Sequence, residues 1–236
     1  MSNSNVGRTG QLSFSVDSGL LFELGEQLVA KPSIALAELI KNSYDADATR
    51  VKVRFANVGV PGGTITIADD GHGMTFEEIE HGWMRIASSS KKAFMSSRRY
   101  KRPLTGAKGI GRFATRRLGA VLNLRSVVQL PNNRREAIFV SFDWSAFVSG
   151  AEISDIPVRY KRIPVSSECP TGVTLKILRA HDSWKNEDIE NLKKDIVGLV
   201  SPFPIRPSLD NQDRDPGFNI VLEVDGEEFD PTVGSN

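Results

Sequence analysis

The chain has 236 residues, 39% hydrophobic and 25% charged, an ordinary globular mix that excludes global disorder and fits one large domain, or one domain and the start of another. A net charge of +1 gives no overall preference for acidic or nucleic-acid partners. Cys169 is the only cysteine, which excludes an internal disulfide and a cysteine-based metal cluster. The polar start MSNSNVGRTG lacks the apolar core of a signal peptide, and no apolar run approaches membrane-spanning length. A cytoplasmic or equally reducing setting is the expectation.

Residues 1–17 read as a mobile tail. SGLLFELGEQLVA at 18–30 places Leu20, Leu21, Leu24, Leu28 and Val29 at helical spacing. Lys31-Pro32-Ser33 breaks that pattern, and Ser33 suits the N-cap of a helix over 33–45 that buries Ile34, Leu36, Ala37, Leu39 and Ile40. VKVRFANV at 51–58 and GTITIADD at 63–70 alternate apolar and polar, so they read as antiparallel strands joined at Pro61-Gly62-Gly63. FEEIEHGWMRIA at 76–87 reads as a helix with Thr75 near its cap.

Between Glu80 and Glu136 there is no acidic residue, while fourteen of the chain's 30 lysines and arginines fall there. Such a stretch calls for anions: nucleotide phosphates, another chain's carboxylates or a nucleic-acid backbone. Within it, residues 88–105 lack apolar periodicity and read as a long mobile loop, a length that usually marks a lid or disorder. A helix over 110–119 follows, then strands near 121–130, 136–143, 156–163 and 172–179, and a helix at 186–199 ended by Pro202, Pro204 and Pro207. FNIVLEVDGEEF forms a hairpin turning at Asp225-Gly226. With little chain left to pack against, residues 201–236 are expected to be a linker and hairpin, possible start of a second domain in a protein that continues past Asn236.

Three segments carry chemistry. In ELIKNSYDADA at 38–48, Glu38 and Asn42 lie four residues apart and share a helix face. Glu suits a base that deprotonates an attacking water, and the neutral Asn oxygen suits a magnesium ion already bound by phosphates; a solvated helix face is the alternative. Asp45 is placed with the ligand-binding set, although it and Asp47 equally suit turn residues. In IADDGHGMT at 67–75, Asp69 ends a strand and can accept a hydrogen bond from an exocyclic amine, while Gly71 and Gly73 allow close approach of a flat ring; an ordinary Asp-Gly turn is the alternative. His72 reads as a loop residue. In GAKGIGRFAT at 106–115, backbone N–H groups followed by a helix N-terminus form an anion cradle around Lys108. The order is neither that of a P-loop nor that of a dinucleotide fingerprint.

Together these segments resemble the GHKL superfamily of ATPases, which includes gyrase, the ninety-kilodalton heat-shock chaperone, MutL, MORC proteins and histidine kinases. The resemblance covers about residues 18–180. LGEQLVAKPSIALAELIKNSYDADATRVKV resembles the MutL and MORC style of N-box, IADDGHGM the first glycine box and GAKGIGRFAT the second. RIASSSKKAF at 85–94, with Lys91, resembles the stretch that opens the ATP lid. The resemblance implies an α+β fold, a two-layer α/β sandwich (the Bergerat fold) whose mixed, largely antiparallel sheet is covered by helices on one face, spanning 18–200.

It further implies that Glu38 is the general base and Asn42 the magnesium ligand. Asp69 would read adenine, Gly71 and Gly73 would lie beneath the base, and Met74 would pack on it. Gly106, Ala107, Lys108, Gly109, Ile110, Gly111 and Arg112 would form the phosphate-facing end of the lid. One departure stands out: the family often has Gly-Thr opening a late strand, where this chain has Gly172-Val173, so Thr174 or Thr171 is the substitute candidate. The implied function is binding of ATP with magnesium and its hydrolysis to ADP and phosphate, driving lid closure and N-terminal homodimerisation of a larger protein, with nucleic-acid or protein clients reached through other regions. A nucleotide-sensing module with little turnover is the alternative. A histidine-kinase catalytic domain shares the pocket, but only a short tail precedes residue 18 and the ELxxN form looks like the ATPase branch.

Overall fold

The computed structural model describes residues 16–20, 31–85, 96–105, 111–200 and 215–229. They form an α+β sandwich. Among the described residues there are four α-helices: α1 (Pro32–Asp45), α2 (Phe76–Glu78), α3 (Gly111–Leu118) and α4 (Asn186–Val200). Eight strands, β1 (Arg50–Ala56), β2 (Thr64–Asp69), β3 (Gly119–Gln129), β4 (Arg135–Asp143), β5 (Arg159–Val165), β6 (Gly172–Ala180), β7 (Asn219–Val224) and β8 (Glu227–Phe229), make one sheet in the order β5-β4-β3-β6-β2-β1-β7-β8. Every neighbouring pair is antiparallel except β1 with β7.

The two-residue period of the strands sorts their side chains by face. Val51, Val53 and Phe55 of β1, Ile65 and Ile67 of β2, and Leu175 and Ile177 of β6 are buried beneath the helices. Leu36, Leu39 and Ile40 of α1 and Leu192 and Ile196 of α4 join them in one core. Each such side chain contributes about 1.5–3 kcal/mol by leaving water. Helix α1 packs against both α3 and α4, so it lies buried along most of its length. Only one edge of it remains for polar work.

Several expectations are corrected. Helix α1 opens at Pro32, not after a Ser33 cap: Pro32 takes the first helical position and the cap residue Lys31 makes no side-chain bond. Proline suits that position because its missing N–H has no helical acceptor there. The helix expected over 76–87 is one α-turn, α2, running into a π-turn at Ile79–Trp83. Its start is as expected, a reciprocal capping box in which Thr75 Oγ1 accepts from Glu78 N and Glu78 Oε2 accepts from Thr75 N.

The hairpin expected to have little to pack against has a partner. Strand β7 pairs parallel with β1 through Arg50–Phe55 opposite Asn219–Val224, and Ile220 and Leu222 are fully buried. Residues 218–229 therefore extend this sheet. The stretch expected as a mobile loop is, over 96–105, tied to the domain by the hydrogen bonds described below. The expected helix at 18–30, from residue 21 onward, lies outside the described residues, as do the tail up to residue 15 and residues 201–214.

Candidate functional site

The site grows from the end of β2, where Asp69 leaves the sheet. Asp69 Oδ1 accepts from the backbone N–H of Gly71 and of Val173, each at 3.0 Å, and Oδ2 accepts from Ser43 Oγ at 3.0 Å. A carboxylate has about four lone-pair positions, so these three bonds leave one acceptor position on Oδ2. Burial is the largest influence on this carboxyl and raises its pKa above the ordinary value; the three hydrogen bonds oppose that rise and the neighbouring Asp70 charge adds to it. The result is a fixed, poorly solvated acceptor, suited to one N–H donor of a neutral ring.

Gly172 explains how β6 reaches this carboxylate. Its φ is +137°, and a Cβ there would lie 2.0 Å from the Asp69 carbonyl oxygen. The close approach brings the Val173 N–H to Asp69. The departure at Val173 is thus met by its backbone, a contact that needs no threonine hydroxyl. Thr174 is corrected as a candidate: it pairs with Ala68, and strand alternation puts both on the face opposite Asp69 and Val173.

Gly71 and Gly73 shape the loop against the protein itself. A Cβ at Gly71 would come 2.7 Å from the Ala46 carbonyl oxygen at the end of α1, and one at Gly73, φ +72°, would come 2.1 Å from that of Val127. Ser126, fully buried in β3, fastens the next residue from both sides: its Oγ accepts from Met74 N at 2.7 Å and donates to Met74 O at 2.9 Å. The Met74 side chain is half-buried and packs on the core. His72 is held in the loop by its N–H to Ala46 O and its ring Nδ1 beside Gly73 O, and Asp70 caps the start of β1 through Thr49 and Arg50.

Glu38, Lys41 and Asn42 form a half-buried edge of α1, whose first turn is also open to solvent: Ile34, expected in the core, is exposed, and burial begins at Ala35. The Glu38 carboxylate is not alone: Lys41 Nζ lies 2.7 Å from Oε1. Ser43, one residue past Asn42, turns the other way and binds Asp69. The same helix therefore positions a carboxylate, an amide and the support of the acceptor at the end of β2.

Asp45 and Asp47 turn toward the basic stretch. Asp45 Oδ1 accepts from Thr105 N at 2.9 Å and Thr105 Oγ1 at 3.0 Å. Its carboxylate therefore anchors the residue just before the glycine-rich loop. Asp47, at φ +59°, accepts from Ser97 Oγ and Tyr100 N through Oδ1 and from Arg99 N through Oδ2. Glu78 pairs with Arg98. Arg102, 2% exposed, directs all five of its N–H donors inward: Nε and one Nη2 donor to Asp215, the other Nη2 donor to Gly217 O, and Nη1 to the carbonyls of Tyr44 and Ala48. Its guanidinium also lies over the rings of Tyr44, Tyr100 and Phe218.

Of the residues singled out from sequence, the structure brings Asp69, Gly71, Gly73 and Met74 together at the end of β2, beside the C-terminal half of α1. Gly111 and Arg112 open α3. Lys91 and Gly106 through Ile110 lie outside the described residues. Ser43, Ser126, the Val173 amide, Arg102 and Thr105 were not singled out; Ser43 alone had a sequence signal, its place beside Asn42. Among the described residues no group of three or more His, Cys, Asp or Glu side chains could hold a metal ion. Asn42, on the half-buried edge of α1, offers a neutral side-chain oxygen of a kind that suits magnesium.

The family described as histidine kinase-, DNA gyrase B-, and HSP90-like ATPase matches residues 30–169. The chain is similar to the DNA mismatch repair protein MutL of Dictyoglomus thermophilum, 42% identical over 66 residues, which are 28% of this chain and 11% of that protein. It is similar to MutL of Rhizorhabdus wittichii, 43% identical over 63 residues (27% and 10%), and to MutL of Leptospira biflexa, 39% identical over 70 residues (30% and 11%). The chain thus spans about a tenth of the length of the curated relatives it matches.

Proposed function

This chain belongs to the family of histidine kinase-, DNA gyrase B- and HSP90-like ATPases, and from that premise we propose that it binds ATP with magnesium at the end of β2 and hydrolyses it to ADP and phosphate. The observation that carries the reading is Asp69: a half-buried carboxylate, fixed by three donors and left with one acceptor position. That position suits the exocyclic amine of adenine. Gly71, Gly73 and Met74 form the wall beside it, and Gly106, Ala107, Lys108, Gly109, Ile110, Gly111 and Arg112 would supply amides and cations to the phosphates, with Lys91 from the other end of the basic stretch. Asp45 acts one step back, holding Thr105 at the entrance to the glycine-rich loop.

Asn42 would hold magnesium, which would neutralise phosphate charge. Glu38 would orient a water and take its proton as the oxygen attacks the terminal phosphorus. Nucleotide phosphates would draw the basic stretch closed, and two copies of the chain would associate in that state. A larger protein in a cytoplasmic setting, with protein or nucleic-acid clients elsewhere, completes this reading.

A second reading has its own support. Lys41 holds Glu38 in an ion pair at 2.7 Å, which occupies the Oε1 that would otherwise face a water. A module that binds nucleotide and turns it over only when a partner draws Lys41 away fits that pair.

Titration of the chain with magnesium-ATP by calorimetry, beside Asp69→Asn, tests the binding site. Binding that weakens at least tenfold in the variant supports the assignment. Equal binding by a folded variant removes Asp69 from the site.

A further inference from the structure

The sheet has a second face, and its charge is unevenly placed. Side chains that alternate with the core positions point away from the helices. On the β1–β7–β8 side the cations there are matched: Lys52 and Arg54 pair with Glu223, and Lys52 also with Glu228. On the β6–β3–β4–β5 side they are not. Register places Lys176, Asn123, Ser141 and Arg159 in one row across those four strands. The adjacent row is Thr174, Arg125, Phe139 and Lys161.

Lys176, Lys161 and Arg159 are exposed and make no ion pair with a described residue. Arg125 is half-buried and reaches only the Cys169 sulfur, at 3.5 Å. Within these four strands the open face carries one carboxylate, Asp143 at the end of β4, which is engaged by Ser145 through Oδ1 and by Arg179 at 3.9 Å through Oδ2. With strands about 4.8 Å apart and alternate residues about 6.8 Å apart, the four cations spread over roughly 14 Å by 7 Å. Such a field attracts a polyanion.

We propose that this open face of β6, β3, β4 and β5 binds the phosphate backbone of a nucleic-acid duplex, independently of sequence. The side chains between the cations select that partner. The Asn123 amide and the Thr174 hydroxyl suit phosphate oxygens, while Ser141 donates its hydroxyl to Asn123 Oδ1 at 2.8 Å and so holds that amide in place. An acidic protein would instead call for an apolar centre, and a single strand for exposed aromatic rings to stack on. Phe139, the aromatic within the patch, is half-buried. Arg125, the long side chain at the centre, is half-buried and turned to the Cys169 sulfur rather than outward toward a groove, so contact stays with the backbone.

Anisotropy of a short labelled duplex of arbitrary sequence, titrated with the whole chain between about 50 and 200 mM salt, tests this. Four neutralised phosphates give a slope of log affinity against log salt of roughly −3.6. The triple variant Lys176→Ala, Lys161→Ala, Arg159→Ala should bring the slope up by roughly 2.7, with thermal unfolding and ATP binding unchanged. A slope that does not move in that variant overturns the proposal, above all if Lys101→Glu, in the basic stretch, abolishes binding instead. Absence of duplex binding at the lowest salt overturns it too, as does binding of poly-glutamate in preference to the duplex.

Discussion

Arg102 and Asp215 form a two-pronged ion pair, Nε to Oδ2 at 2.9 Å and Nη2 to Oδ1 at 2.7 Å, which joins the basic stretch to the segment leading into β7. Burial is the largest single influence on Asp215 and disfavours its charge. The Arg102 hydrogen bonds, the Gly217 N–H and the Arg102 charge outweigh it and hold the carboxyl below its ordinary value. Replacing Arg102 by Met strands that carboxylate and three backbone carbonyls. The expected loss of stability is on the order of 3 kcal/mol, read from urea unfolding. Arg102→Lys should recover little, because an ammonium cannot match the fork or lie flat over Tyr44.

Ser126 is a small residue with a large expected effect. Ser126→Ala removes both bonds to the Met74 backbone and leaves a donor and an acceptor unpaired in a fully buried position. Stability should fall by about 1–3 kcal/mol. Nucleotide affinity should fall as well, since Met74 and Gly73 are no longer held to β3. Calorimetry on the variant and on Ser126→Thr separates the two effects.

Two glycines with positive φ should respond differently to alanine. At Gly172 the new Cβ meets backbone at 2.0 Å, so Gly172→Ala must push β6 away from Asp69; severe destabilisation and loss of nucleotide binding are expected. At Gly62, φ +106°, nothing lies within 4 Å, so Gly62→Ala carries only the strain of its backbone angle, about 1–2 kcal/mol. Thermal melts of the pair show whether close approach, not conformation alone, governs Gly172.

Asp69 sets a pH dependence. Its folded pKa is raised by burial, so the folded chain holds this proton more tightly than the unfolded chain does. Without nucleotide, the Asp69 contribution to stability therefore rises as pH falls toward the ordinary carboxylate range of about 3.9, and the rise levels off below it. Bound nucleotide needs the ionised acceptor, so affinity should decline over the same descent. Asp69→Asn should flatten both trends, which denaturation and binding titrations across mildly acidic pH can follow.

The periodicities made the sheet and α1 legible: β1, β2, β3, β4 and α4 fall within two residues of their expected bounds at most ends. What the sequence could not show was partnership across distance. Nothing near Arg102 announces Asp215, 113 residues away, and the hairpin at 218–229 looked partnerless because a parallel pairing with β1 leaves no local trace. The acid-poor stretch was expected to seek phosphates or other molecules; over 96–105 it finds Asp45, Asp47, Glu78 and Asp215 of its own chain. In the sequence Gly71 and Gly73 read as room for a flat ring; the close approaches in the structure are to the Ala46 and Val127 carbonyls, surfaces that emerge only in three dimensions. Val173 looked like a loss because side chains are what a sequence displays, whereas its contact is an amide.

The most direct measurement is magnesium-dependent ATP hydrolysis by the chain with Glu38→Ala beside it. Turnover is expected in the parent and absent in Glu38→Ala, with ATP binding retained, and Lys41→Ala should hydrolyse faster than the parent if the Glu38–Lys41 pair restrains the base. Hydrolysis that survives in Glu38→Ala would contradict the assignment of Glu38, and failure of the parent to bind ATP would contradict the site itself.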